Sequence, residues 1–571
     1  MLDSLPETTE KFMLWPWSKI EPYFNDLALR PIEDAGIAGW LSDWTTLSQL
    51  VSETYQRLYV ATTVDTTDRQ AELRYQAFLD GIFPLAQAAN QKIKEKFLAR
   101  GLEPDGFAVP LRNMRAEAEL FREANLPLLS EEKKLSTEYD RIKGNQTVDW
   151  QGRELTIMQL LPVYQDPDRV VREGAWRMAA ARQLTDRQAI NDLWHKLMDL
   201  RKQLASNAGC ADYREYRWQE MLRFDYTSQD CVRFHQAIEA VVVPAAERIY
   251  EKRRKQLGIE SLRPWDLNVD PLGRPSLRPF KDVAQLEETT ARVFNHVDPK
   301  LGDYFEVMRR EKLLDLDNRK GKAPGGYCIE FSAIRRPFIF MNAVGIHEDA
   351  LTLLHEGGHA FHVFESAHLP YFQQLQVPME FAEVASMGME LLASPYLAIP
   401  ADGFYNEADA ARARIEHLET IITFWPYMAV VDAFQHWVYE NHAEADNPDL
   451  CDAKWAELWK RYMRGVDWNG LEQEMATGWH NKSHIHQEPF YYFEYGLAQL
   501  GAIQIWRNAL HDQAGAVVAY RQALSLGGTA TLPRLYQIAG ASFAFDVETL
   551  AAAVKLAEVT IEALEHGILR V

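Results

Sequence analysis

Residues 353–362 read LLHEGGHAFH, which places His355 and His359 four residues apart. On an α-helix, residues so spaced are offset by about 40° and 6 Å of rise, so both imidazoles can converge on one ion between them. The spacing therefore predicts a helix through the motif. Glu356 then lies roughly 80° round from the midpoint, where its carboxylate can reach a water on the ion without binding the ion itself, the position of a general base. In a chain with 16 histidines and 82 acidic residues, about 0.06 such motifs are expected by chance. The preceding ALTLL makes the helix apolar, and buried charges require partners. Gly357 and Gly358 weaken a helix by about 1 kcal/mol each, which predicts close approach by another part of the chain.

His362 falls on nearly the same face but about 7.5 Å beyond the midpoint of the pair, against a Zn–N bond of about 2.0 Å. It is expected to be buried and hydrogen-bonded outside the ligand set. The third ligand must come from another helix. The stretch PMEFAEVASMGMELLASP carries Glu380, Glu383 and Glu390. At about 100° per residue, Glu383 and Glu390 fall within about 20° of each other and Glu380 about 60° away. Three carboxylates on a helix flanked by Phe, Val, Met and Leu need cations or donors, so this face is expected to meet the metal helix.

Most of the chain reads as amphipathic helices with short polar breaks. In the long helical stretch ending at His442, Pro426 is expected to cause a kink or a break. Strand-like sequence is confined to about 325–345, where YCIEF and PFIFMN follow the turn signal Pro324-Gly325-Gly326. The fold class is thus mostly α with one small sheet. An N-terminal helical region is placed at 1–200 and a catalytic region at 201–571. With 61 Lys and Arg against 82 Asp and Glu the formal charge is −21, which argues against nucleic acid or an anionic membrane as partner. Cys210, Cys231, Cys328 and Cys451 are scattered without a CxxC pair, indicating neither a disulfide framework nor a sulfur-ligated zinc site. With no leader-like N-terminus and no apolar run of about 18 residues, a cytoplasmic location is the expectation.

HEGGHAFH followed by PMEFAEVASMGMELLA resembles the M3 family of zinc metallopeptidases, more closely its oligoendopeptidase F branch than its thimet oligopeptidase branch. KAPGGYC, RPFIFMN and GGTATLPRLYQIAG extend the resemblance over about 320–545. It implies a large two-lobed helical metallopeptidase with a small β-sheet beside the zinc helix, a deep substrate channel and one Zn2+ per chain on His355, His359 and Glu383. Glu380 and Glu390 match acidic positions of the family, and Glu380 is expected to orient a ligand histidine through its free ring nitrogen. In HNKSHIHQEPFYYFEYGLAQ the family uses a histidine and tyrosines to hold the oxyanion. By spacing these are His486 and Tyr495, with Tyr492 on the same face as Tyr495 and His484 a rival to His486.

PFIFMN is expected at a sheet edge that could pair with a bound peptide. Gly325, Gly326 and Tyr327 are placed at the substrate as a closing turn. The resulting reading is a zinc-dependent endopeptidase for short oligopeptides. Its alternatives are a metallocarboxypeptidase or dipeptidyl carboxypeptidase using Arg335 or Arg336 to bind a C-terminal carboxylate, and an inactive zinc-containing peptide-binding protein.

Overall fold

The computed structural model describes residues 4–33, 36–319, 322–323 and 325–567; Pro324, the first residue of the expected turn, lies outside them. The elements that position the site are α1 (Ile37–Val64), the hairpin β1 (Thr147–Trp150) and β2 (Arg153–Thr156), α2 (Arg187–Ala208), α3 (Ser228–Ala237), α4 (Val283–Val297), the strands β3 (Leu314–Asp317), β4 (Tyr327–Phe331) and β5 (Arg336–Ala343), then α5 (His347–Ser366), α6 (Met379–Ala393), α7 (Glu407–Glu440), α8 (Tyr492–Ala509), α9 (Gln513–Ser525) and α10 (Val547–Glu565). Among the described residues no helix is long and apolar enough to cross a membrane.

The small sheet has the order β3-β5-β4, with β5 parallel to β3 (Leu314 opposite Ile339) and antiparallel to β4 (Ile329 opposite Phe338). PFIFMN therefore lies in the central strand, bonded on both sides, and not at an edge. Its run of apolar residues without alternation is the pattern of a strand buried on both faces. The edge strands are β3 and β4.

The entrance to α5 is fixed by Asp349, whose carboxylate accepts the N–H groups of Val344, Gly345 and Ile346 at 2.8, 2.8 and 2.9 Å. These donors would otherwise be orphaned at a helix start, where the macrodipole also favours an anion. α6 packs against α5 on one side and α8 on the other. α7 runs unbroken through Pro426. Burial of Ile421, Ile422, Trp425, Met428 and Ala429 on either side of the proline outweighs its cost of about 3 kcal/mol.

Hydrophobic residues from Val60 to Leu564 form one large core, while Phe12 to Met114, with Trp40, Trp44 and Phe97 at its centre, form a separate cluster. From sequence, a division is expected near residue 200. That position lies inside α2, whose Leu193, Trp194, Leu197, Met198 and Leu204 belong to the large core. The N-terminal cluster runs to Met114 and also packs against Ala333 and Tyr371, and Val148 to Ala179 form a further small cluster with Trp150 and Trp176.

Candidate metal centre

α5 and α6 cross at the two glycines. A Cβ on Gly358 would stand 2.4 Å from the backbone oxygen of Ala385 and 2.6 Å from Ser386 Cα; one on Gly357 would meet the Phe294 ring at 2.4 Å. The expected close approach is thus made twice, by the α6 backbone and by an α4 side chain. This crossing brings Glu383 Oε2 within 3.4 Å of His355 Nε2 and 3.6 Å of His359 Nε2. Donors around a tetrahedral Zn2+ with bonds near 2.0–2.1 Å sit about 3.3 Å apart. The donor types and spacing of His355, His359 and Glu383 fit such an ion.

Two of the three donors, Glu383 and His355, are held by neighbouring side chains. Tyr491 Oη donates to Glu383 Oε1 at 3.1 Å, and Ser386 Oγ lies 3.0 Å from Oε2. His355 Nδ1 bonds Glu390 Oε1 at 2.6 Å, and His417 Nε2 of α7 lies 2.8 Å from Glu390 Oε2. Fixing one ring nitrogen by a carboxylate leaves the other facing the ion position. Glu390 thus takes the role expected of Glu380. Glu380 instead accepts from Tyr226 Oη at 2.7 Å and lies 3.7 Å from Arg223 Nε. The guanidinium of Arg223 also donates to Glu494 Oε1 at 2.9 Å, and burial, with Glu380 beside it, pushes the Glu494 carboxyl up to about 8.

Burial also pushes Glu356 up, to about 7, only partly offset by His355. Its carboxylate has no hydrogen-bond partner among the described residues. For Glu383 burial works in the same direction, but His359 and His355 outweigh it and hold the group at about 2. His362 is buried against Phe381, as expected, but its Nε2 finds no hydrogen-bond partner among the described residues. Burial lowers its imidazole to about 3, so it packs as a neutral ring.

The segment 478–495 separates the two rival histidines. His486 is fully enclosed, stacked on Tyr139 at 4.6 Å and on Trp479 at 5.6 Å, with Nε2 3.3 Å from the Trp479 carbonyl. It is a core residue and does not face the tyrosines. His484 does, with ring centroids 5.0 Å from Tyr492, 5.9 Å from Tyr491 and 6.1 Å from Tyr495. Tyr492 packs on Phe424 and Tyr427, and the Lys482 ammonium lies 3.6 Å from its ring centre.

At the sheet, Tyr327 does not form a closing turn. It stacks on Phe340 at 4.7 Å and bonds Thr63 through its hydroxyl, while Asn342 Nδ2 donates to the Gly325 carbonyl at 2.9 Å. Gly325, at φ +97, is needed for the turn itself. Gly326 lies tightly against the Phe340 carbonyl, a Cβ there standing 3.4 Å away. Four functional contacts lay outside the sequence reading: Tyr491, Ser386, His417 and the Arg223–Tyr226 pair. Tyr491, four before Tyr495, and Ser386, three after Glu383, lie at helical spacings from residues already named from sequence, whereas His417, Arg223 and Tyr226 reach the site from elements that no local pattern pairs with it.

Fold and cluster together define a helical protein whose small sheet flanks a helix bearing an HExxH pair, with its third donor on the next helix. The profile of Peptidase family M3 matches residues 163–554. The chain belongs to peptidase family M3. It is 22% identical over 339 residues to the Oligopeptidase PepF of Bacillus subtilis, covering 58% of this chain and 48% of that protein. It is 24% identical over 298 residues to the chromosomal Oligoendopeptidase F of Lactococcus lactis subsp. cremoris, covering 50% and 46%. The chain thus spans about half the length of the curated relatives it matches. A solved structure of PZ peptidase A with an inhibitor superposes with a TM-score of 0.88 at 26% identity, covering 99% of each chain. The oligoendopeptidase F of Enterococcus faecium shares the fold, with a TM-score of 0.62 at 13% identity over 96% of this chain and 97% of that one.

Proposed function

We propose that this chain is a zinc-dependent endopeptidase acting on short oligopeptides. The observation that carries the reading is the placement of His355 Nε2 and His359 Nε2 at 3.4 and 3.6 Å from Glu383 Oε2, with the buried, unpartnered Glu356 on the same helical turn. Zn2+, when bound by these three residues, supplies Lewis acidity toward water and toward a scissile carbonyl. The protein does the rest. Glu356, pushed up to about 7, can accept a proton from water and return it to the leaving amine, since a base near the working pH serves both transfers. His484 and Tyr495 offer neutral donors for an oxyanion, while the Tyr491 hydroxyl is already committed to Glu383 Oε1. Burial keeps the tyrosines protonated and lowers His484 to about 4, so none adds net charge. Of the two edge strands, β4, which joins the Gly325-Gly326 turn, is the one we assign to main-chain pairing with a peptide.

The test is Glu356→Gln assayed on an internally quenched peptide blocked at both ends. Metal content should be unchanged and kcat should fall about 100-fold or more. Full activity in the variant would refute the base assignment. If the wild type spares the blocked peptide yet trims free C-termini, the carboxypeptidase reading replaces this one.

A further inference from the structure

A second cluster of metal-type donors lies away from this site, where α3 packs on α7. Each helix presents two of them at i, i+4: Cys231 and His235 on α3, Asp432 and His436 on α7. Donor atoms of Cys231, Asp432 and His436 all lie within 4.8 Å of one another. Cys231 and Asp432 are completely buried, and His436 is 5% exposed. Two polar atoms in this enclosure have no hydrogen-bond partner among the described residues, Asp432 Oδ1 and His436 Nε2. The other carboxylate oxygen, Oδ2, is held by His235 Nε2 at 2.8 Å and lies 3.3 Å from His436 Nε2. Among the described residues no lysine or arginine pairs with Asp432.

A fully buried carboxylate without a cationic partner is costly, and so is each unpartnered polar atom around it. One divalent ion removes all of these costs together. A thiolate and a carboxylate balance its two charges, a neutral imidazole completes the set, and the orphaned Oδ1 and Nε2 become ligands. We propose that Cys231, Asp432 and His436 form a second, buried site for a divalent transition-metal ion of the Zn2+ type, cross-linking α3 to α7. The mixed sulfur, nitrogen and oxygen donors select for Zn2+ or Co2+ over Mg2+ or Ca2+. His235 orients the carboxylate from its second oxygen, as Glu390 orients His355. The competing arrangement is an ion-free one, in which His235 and His436 both donate to Asp432; Arg214 Nη1, 3.4 Å from His436 Nδ1, and the Cys231 thiol, donating to the Thr227 carbonyl at 3.6 Å, are the contacts that favour it.

The two are separated by metal analysis and by spectroscopy of the full chain. Wild type should hold two zinc ions, His355→Gln/His359→Gln one, and that variant with Cys231→Ser added none. After exchange with Co2+, a near-ultraviolet thiolate-to-cobalt charge-transfer band should appear in wild type and persist in His355→Gln/His359→Gln, because the HExxH site contains no sulfur. It should vanish in Cys231→Ser. A wild type whose cobalt form lacks the band overturns the proposal, and this readout stands even if Cys231→Ser does not fold. Should the HExxH cluster hold no metal, wild type would bind one ion and still show the band, so failure of the two sites is distinguishable.

Discussion

Four carboxylates, Glu356, Glu380, Glu383 and Glu390, share a buried region, and what each faces decides its state. Glu383 and Glu390 face imidazoles and are held at about 2, whereas Glu356 has no such partner and burial pushes it up to about 7. A carboxyl whose folded pKa lies above its ordinary value of 4.5 destabilises the fold as pH rises from the lower value to the higher. At about 1.4 kcal/mol per pH unit, ionising Glu356 costs the metal-free protein about 3 kcal/mol by pH 8. Metal-free Glu356→Gln should therefore be more stable than metal-free wild type by about that amount at pH 8, the two converging near pH 4, as read by urea denaturation. The histidine contacts make a second expectation: Glu390→Gln should weaken zinc binding about 10- to 100-fold, and Glu380→Gln should weaken it much less, as measured by competition with a chelating dye. The His355–His359 pair was legible from helical phase, which also put Glu380, Glu383 and Glu390 on one acidic face; the choice of Glu383 among them came from the family resemblance. The same phase placed Glu390 beside Glu383 and Glu380 about 60° away; it was the family resemblance, not the helix arithmetic, that favoured Glu380 for the histidine. His417 carries no such signal, since its meeting with Glu390 depends on how α7 packs.

Two helices are brought to ligand distance by the crossing of α5 and α6, and the glycines that permit it are not equivalent. Replacing a helical glycine by alanine gains about 1 kcal/mol of propensity. At Gly357 the new methyl meets the rim of the Phe294 ring, a side chain that can shift. At Gly358 it meets the Ala385 carbonyl and Ser386 Cα, backbone that cannot move without carrying Glu383 with it. Gly358→Ala should therefore cost about 1–3 kcal/mol net and lower zinc affinity, while Gly357→Ala should cost less and keep the metal; thermal melts with and without zinc check both. Spacing failed elsewhere for an equally local reason. The segment carrying His484 and His486 is a single helical turn, Ser483–His486, and Phe490, at φ +67, breaks the phase before α8 begins at Tyr492. A nine-residue spacing between His486 and Tyr495 thus defines no common face. The true neighbour of the tyrosines is His484, while Arg201 fixes the backbone by donating to the carbonyls of Ile485 and His486.

At the scale of the whole molecule, the N-terminal packing unit and the large core meet where α1 reaches the β4–β5 turn, and a cavity of about 600 Å³ lined by Ser48, Ser52 and Gln56 of α1 and Glu330 of β4 opens beside the junction. Helical class and the presence of a small sheet could be read from periodicity. This junction could not, because it joins residues 280 positions apart through side chains that no local pattern pairs, Ser52 Oγ with Ser332 Oγ at 3.2 Å and above all Glu53. Glu53, fully buried, accepts the N–H groups of Ala333 and Ile334 at 2.7 and 3.1 Å and the Arg57 guanidinium at 2.7 Å. Truncating it leaves two backbone donors and a guanidinium without their acceptor, at about 1–3 kcal/mol for each group so stranded. Glu53→Ala should therefore lower the urea midpoint and speed hydrogen exchange at Ala333 and Ile334. The HExxH cluster itself is untouched, so zinc content should stay the same. If β4 pairs with substrate main chain, loosening the turn that ends it weakens the ground state and transition state alike, so KM should rise while kcat changes little. Unchanged exchange at those two amides would show that Glu53 does not tie the two units together, and a fall in kcat at constant KM would place the β4–β5 turn in the chemical step and not in binding.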